Sequence, residues 1–295
     1  MLTNNSEKDG ETIVSGSESK KLDSSPGKTP SFYVITVNYN SKAHLQKLTS
    51  SLRSIPFLKK LILVNHSPSE GLGDLIADFP IKIINQENKG YGAGLNRGMR
   101  EVCDKNSIVL LCNPDIMVVN PEAIAELIHH MNSNSQIACV LPSMVDSECQ
   151  PIPSCRKFHT LQILLASGLS WLRRGKAKFW RPHDYMHCER SQPFEVDWGC
   201  GGAMFFKASL FPDPLCFDER FFLYFEDVDF CATIWEKGFS VVFYPKLVCY
   251  HAEQRQSRKS LLFLGRHIIS LLKYIKKHQG LPQRESFKQR KDKNR

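Results

Sequence analysis

The chain has 295 residues, of which 42% are hydrophobic and 23% charged, with a formal net charge of +9. That length suits one large domain or two small ones with a buried core, and excludes a wholly disordered chain, a collagen-like repeat and a disulfide-held miniature scaffold. The charge is uneven: from Arg255 to Arg295 there are 13 Lys/Arg against 2 Asp/Glu, and the preceding residues sum to −2.

Residues 1–30 are rich in Ser, Gly, Lys and Glu without an apolar period, which predicts a disordered leader. The polar N-terminus carries no secretory signal, and no apolar run reaches the roughly 18 to 20 residues that span a bilayer. The 10 cysteines form no C-x-x-C pair and several lie inside apolar runs, as expected of reduced thiols in a cytosolic protein. From Ser31 the pattern becomes strand FYVITV, a helix from about Lys42 to Ser54, strand KKLILV, the segment GLGDLIADF, strand IKIINQ, a helix through LNRGMREVC and strand SIVLLC. Near-continuous apolar strands separated by helices predict an α/β domain with a mostly parallel sheet covered on both faces, and a nucleotide-type ligand at the strand C-termini.

Farther on, PEAIAELIHHM reads as a helix and IACVLP as a strand. Residues 156–181 hold seven Lys/Arg and no acid around LQILLASGLSWL, read as a core helix with basic flanks in preference to an interfacial one. GGAMFF, FSVVFY and KLVCYH read as three strands, with a helix through EDVDFCATIWEKG. Residues 256–295 read as a basic amphipathic helix followed by a frayed end.

Five clusters could carry chemistry. VNYNS places Asn38, Tyr39, Asn40 and Ser41 at a strand end, suited to holding a base by stacking and amide bonds or to ordinary helix capping. In ENKGYGAGLNRG, Gly90, Gly92 and Gly94 with Lys89 and Arg97 could cradle a diphosphate, or could let a helix pack closely on a strand. In LLCNPD, Pro114 holds Asn113 extended and projects Asp115 from the sheet edge, a geometry for a hard divalent cation or for a turn. In FDERFFLYFEDVDFC, four acids (Asp218, Glu226, Asp227 and Asp229) sit among aromatic residues, where desolvation raises proton affinity and makes a competent base; acids at a helix start are also favoured by its dipole. His251 follows the last strand.

In this order the clusters resemble the nucleotide-sugar glycosyltransferases of family 2, most closely the rhamnosyltransferase-like branch. The resemblance rests on VNYNS, LILVNHSPSE, NKGYGAGLNRGM, LLCNPD, VDWGCGGAMFF, FDERFFLYFEDVDFC and Tyr250-His251, covers about Ser31 to His251, and places the domain at 31–255. It implies the GT-A fold and an inverting, metal-dependent sugar transfer. Asp227 would be the catalytic base with Glu226 beside it. Asp115 would hold Mg²⁺ or Mn²⁺ against the donor diphosphate, with His251 as a second ligand or a diphosphate contact. The implied donor-binding set is Val37, Tyr39, Asn65, Lys89, Gly90, Asn96, Asn113 and Asp115, and Trp198, Gly201, Gly202 and Asp229 would lie by the transferred sugar and acceptor. One position departs: the family's second strand usually ends V-D-N and here reads Val64-Asn65-His66, which keeps an amide acceptor and loses the charge.

The expected donor is a dTDP- or UDP-sugar such as dTDP-L-rhamnose. The expected acceptor is a lipid-linked saccharide at the cytoplasmic face of an anionic membrane, which the basic C-terminal segment would meet. The rivals are a sugar-nucleotide nucleotidyltransferase, which needs a glycine-rich loop after the first strand that VNYNSK lacks, and a carbohydrate- or nucleic-acid-binding protein. Nucleic acid is disfavoured because the basic tail has few interleaved aromatics.

Overall fold

The computed structural model describes residues 31–252 and 261–287, apart from 56, 74, 76, 166–183, 187, 189–190 and 214. The expected disordered leader, most of LQILLASGLSWL and the frayed end lie outside the described residues. The first half follows the expected alternation: β1 (Phe32–Asn38), α1 (Lys42–Leu52), β2 (Leu58–Asn65), β3 (Ile81–Asn85), α2 (Tyr91–Met99) and β4 (Ile108–Cys112). GLGDLIADF, between β2 and β3, contributes no helix or strand among its described residues.

Next come β5 (Ile116–Val118), α3 (Ala123–Ser133), β6 (Ile137–Val145), and the two-residue strands β7 (Pro151–Ile152), β8 (Cys155–Arg156), β9 (Phe194–Glu195) and β10 (Trp198–Gly199). β11 (Ala203–Lys207), α4 (Glu226–Glu236), β12 (Ser240–His251) and α5 (Leu261–His278) complete the chain. FSVVFY and KLVCYH, expected as separate strands, are one strand. Its register against β6 shifts between Tyr244 and Val248. Asn120 pins the shift, donating to the Lys246 carbonyl and accepting the Val248 N–H, both at 2.7 Å.

The main sheet runs β3-β2-β1-β4-β11-β6-β12-β5. Its β3-β2-β1-β4 half is parallel, whereas β11 pairs antiparallel with both β4 and β6. Residues of β4 are buried throughout, because both faces are covered. Phe32, Val34, Leu61, Leu63 and Leu110 pack with Leu45 and Leu48 of α1 and Ile124 and Leu127 of α3. From the other face, Ile35, Ile62, Val64 and Val109 pack with Leu95 of α2, Phe230 and Ile234 of α4 and Tyr274 of α5. The C-terminal basic segment therefore contributes to the core: Tyr274 is fully buried and Ser270 Oγ donates to the Leu223 carbonyl at 2.9 Å. All ten cysteines are free thiols.

Candidate active site

β1, β2 and β3 end in register at Asn38, Asn65 and Asn85. Their carboxamides form a chain across the sheet edge. Asn38 Nδ2 donates to Asn65 Oδ1 at 2.9 Å and to Glu70 Oε2 at 2.8 Å, and Asn65 Nδ2 donates to Asn85 Oδ1 at 2.9 Å. Asn65 Oδ1 also accepts the Ser67 N–H at 3.1 Å. The role expected for Asn65 is corrected on this point, since both lone pairs of its buried oxygen are used within the protein. A carboxylate stands nearby in Glu70, which also receives the Ser41 and Lys42 N–H groups where the dipole of α1 favours an anion. Tyr39, 59% exposed, presents an open ring beyond β1. Val37 is buried and leaves only its backbone for a ligand.

The glycines leading into and through α2 serve packing. Gly90 has φ 112°, and a Cβ there would lie 2.6 Å from the Phe222 carbonyl oxygen, while the Tyr91 N–H donates to that same oxygen at 3.1 Å. A side chain at Gly94 would meet Val37 at 2.8 Å, and one at Gly98 would meet Ile35 at 2.4 Å. The 217–225 loop thus packs on the α2 N-terminus and takes up the Tyr91 N–H, so Gly90 is required for this close approach. Lys89 is exposed on the loop before it. Asn96 is corrected as well: its amide donates to the Phe217 carbonyl at 2.9 Å and to Glu219 at 3.0 Å, and its oxygen accepts the Phe217 N–H at 3.0 Å. It anchors the loop that carries the acidic block.

The residues that converge do so around the turn at Cys200–Gly202. The Asn113 N–H donates to the Gly202 carbonyl at 2.9 Å, which sets Asp115 beside the turn. Pairing of His251 with Ile116 across β12 and β5 brings the imidazole Nε2 to 3.5 Å from Asp115 Oδ1. That separation is too long for a good hydrogen bond. Asp115 Oδ1 and His251 Nδ1 are both buried without a hydrogen-bond partner. A hard divalent cation fits such a pair, an oxygen and an imidazole donor with unmet capacity; substrate phosphates and water would supply its other ligands. Among the described residues no cluster of three or more His, Cys, Asp or Glu could enclose a metal.

On the other side of the turn, Asp227 Oδ2 accepts the Gly201 N–H at 3.0 Å and its Oδ1 accepts the Val228 N–H at 2.8 Å. Glu226 is 7% exposed, and its Oε2 has no partner. Burial, reinforced by the charge of Asp227, pushes the Glu226 carboxyl up to about 8. Burial also raises Asp227, but backbone N–H bonds and the Arg156 charge oppose the rise. Burial and the neighbouring charge thus make Glu226 the proton holder of the pair, while the N–H donors and Arg156 favour the anionic form of Asp227 without undoing its upward shift. Just before the pair, Tyr224 (φ 66°) and Phe225 (φ 64°) adopt the left-handed conformation, costly for aromatic residues and of the kind that collects at functional sites.

Two expected acceptor or sugar contacts lie elsewhere. Trp198 is 4% exposed, with Nε1 donating to the Lys157 carbonyl at 2.8 Å and its ring covered by His159 and Arg156. Asp229 is 1% exposed and bound to Lys277 Nζ at 2.7 Å and His278 Nε2 at 2.9 Å, on the side of α4 that faces α5. Two residues join the site that the expected set lacks. Tyr91, whose hydroxyl donates to the Gly201 carbonyl at 3.2 Å, lies within the NKGYG motif. Arg156, close enough to act on the Asp227 charge, had no local signal beyond its membership of a basic stretch.

A sequence model of the family described as "Glycosyl transferase family 2" matches residues 33–211, more than half of the chain. The chain belongs to glycosyl transferase family 2. An N-acetylglucosaminyl-diphospho-decaprenol L-rhamnosyltransferase of Mycobacterium tuberculosis is 24% identical over 253 residues, covering 79% of this chain and 80% of the relative. The low-salt glycan biosynthesis hexosyltransferase Agl10 of Haloferax volcanii is 26% identical over 206 residues, covering 67% of this chain; the chain spans 59% of that relative. The crystal structure of GalNAc-T7 with UDP, GalNAc and Mn²⁺ superposes with a TM-score of 0.56 at 14% identity, over 76% of this chain and 43% of that one. This likeness identifies the GT-A fold expected from the sequence, with the mixed, mostly parallel sheet described above.

Proposed function

We propose that the cleft between β4, the Cys200–Gly202 turn and the start of α4 transfers a sugar from a nucleoside-diphosphate donor to an acceptor hydroxyl with inversion at the anomeric carbon. The observation that carries this reading is the position of the Asp227 carboxyl, held by the Gly201 N–H, and of an unsatisfied Asp115–His251 pair on opposite sides of one glycine turn. Family membership and the rhamnosyltransferase and hexosyltransferase relatives support it.

Asp227 accepts the acceptor hydroxyl proton as that oxygen attacks, and the Gly201 and Val228 N–H groups hold the carboxylate in place. Glu226 stays protonated, so the site does not confront the acceptor with two adjacent anions. Asp115 and His251 would hold Mg²⁺ or Mn²⁺. That ion, when bound, neutralises charge developing on the departing diphosphate. Tyr39 stacks on the donor base. Lys89, exposed before α2, meets the donor's charge, and Gly201 and Gly202 line the space for the sugar.

The donor we favour is a dTDP- or UDP-sugar such as dTDP-L-rhamnose, and the acceptor a saccharide on a lipid diphosphate presented at the cytoplasmic face of a membrane, the acceptor class in the name of the mycobacterial relative. Among the described residues no helix is long and apolar enough to cross a membrane. Thermal-shift titration with a nucleotide-sugar panel in Mg²⁺ or Mn²⁺ tests the donor. One dTDP- or UDP-sugar should raise the melting temperature of the wild type and of Asp227→Asn alike, and should lose its effect on chelation. No shift by any of them contradicts the reading.

A further inference from the structure

The helix α5 is attached by one face and apolar on the other. Inward, Tyr274 is fully buried, and Lys277 and His278 close on Asp229. Outward, Leu262 is 62% exposed, Ile268 47%, Ile269 54% and Leu272 60%. At 3.6 residues per turn these four fall within an arc of about 120°, a single stripe where a helix packed on a water-facing body should be polar. Lys276, also exposed, continues the stripe one turn past Leu272, and exposed Lys273 borders it. Between α5 and the loop before α4 lies a groove of about 210 Å³, with Phe222, Leu223 and Ile269 along it and Arg266 and Lys273 at its sides. The Arg266 guanidinium sits 4.6 Å from the Phe222 ring centroid.

We propose that the outward face of α5 docks on an anionic phospholipid bilayer. Leu262, Ile268, Ile269 and Leu272 enter the boundary between headgroups and acyl chains, and Lys276 and Arg266 meet the lipid phosphates, beside Lys273, whose Nζ also donates to the Arg220 carbonyl at 2.7 Å. Charge decides this occupant over a second copy of the chain. Between 261 and 287, Arg266, Lys273, Lys276, Lys277 and Arg284 stand against Glu285 alone, so face-to-face copies would oppose like charges, whereas an anionic leaflet attracts the outward cations. Apolar side chains on one face with lysines beside them are what a helix lying in the membrane interface requires. The surface also lies close to the chemistry: Leu223, which accepts the Ser270 hydroxyl, is four residues before Asp227. Docking adds a surface to the proposed activity without depending on its donor or its acceptor.

The test is co-sedimentation of the full chain with vesicles of phosphatidylcholine containing one-third phosphatidylglycerol, against phosphatidylcholine alone. The wild type should bind the anionic vesicles and release at high salt. The triple variant Ile268→Ser, Ile269→Ser, Leu272→Ser should lose at least about tenfold in partitioning, and Lys276→Glu several-fold with a weaker salt dependence. Lys276→Glu carries the test alone if the triple variant folds poorly. Donor-induced thermal shift should be unchanged in both, which separates this result from a failure of the sugar-transfer reading. Three outcomes overturn the proposal: absence of wild-type binding to anionic vesicles, equal binding by wild type and variants, or a lipid-free dimer that the triple variant dissolves.

Discussion

Asp227 and Asp229 stand two residues apart on α4 and have opposite surroundings. Asp227 opens on the cleft and is held by two backbone N–H groups, with Arg156 acting on it from a distance. Asp229, about 200° farther round the helix, is closed off from solvent and joined to Lys277 and His278 of α5. His278 continues the network to Glu236 at 3.0 Å, and Lys277 also reaches Asp218 at 3.0 Å. One acidic block thus supplies a reactive carboxylate on one face and the anchor of the C-terminal helix on the other. A carboxylate held only by neutral backbone amides and open to a cleft can move a proton, whereas one joined to a lysine and a histidine holds elements together.

Substitutions at the two positions should therefore separate activity from stability. The largest expected effect is at Asp227: Asp227→Asn should lower kcat about a thousandfold with an unchanged urea midpoint, and near-normal turnover would break the contrast. Asp229→Ala should cost about 3 kcal/mol, because it leaves Lys277 and His278 facing a partly buried gap. Urea unfolding reads this directly, and a loss within error of zero would show that α5 is held by its apolar contacts alone.

Two smaller effects sharpen the comparison. Arg156 favours the anionic form of Asp227, so Arg156→Leu should raise the pKa of that carboxyl and move the acid limb of the kcat/KM profile to higher pH. A shift to lower pH would contradict the placement. At His278, burial lowers the pKa, but hydrogen bonds to Asp229 and Glu236 outweigh it and hold the value above the ordinary 6.5. The group's folded value is raised, so its contribution is fully present below pH 6.5 and is lost as the pH rises through the folded value. Unfolding free energy should decline over that interval, and His278→Gln should flatten the decline.

Periodicity made the parallel half legible: β1, β2 and β4 are apolar runs because both faces are covered, and α1 shows its buried Leu45, Leu48 and Leu52 at helical spacing. The three-residue β5 is too short for a pattern, and only the long-range pins from Asn120 show that the two apolar runs in β12 are one strand. Asp115, Asp227 and His251, singled out by their order along the chain, lie around one turn in the fold. Asn65, Asn96 and Trp198 prove to have internal partners that the sequence did not show, for one physical reason: a polar group available to a ligand and one satisfied within the fold look the same in sequence. Only the partners, Asn38 and Ser67 for Asn65, the Phe217 backbone for Asn96 and the Lys157 carbonyl for Trp198, distinguish them. Asp229 shows the same limit, since its partners lie 48 and 49 positions away.

The central claim is that Asp115, with His251, supports sugar transfer at the glycine turn. It is tested most directly by nucleoside diphosphate release from dTDP-L-rhamnose and UDP-sugars in the presence of an N-acetylglucosaminyl-diphospho-prenol acceptor. Wild type and Asp115→Ala would be compared with and without Mn²⁺. The account predicts acceptor-dependent release by the wild type that requires the metal and is lost in Asp115→Ala. Equal release by both proteins, or wild-type release unchanged by chelation, would contradict it.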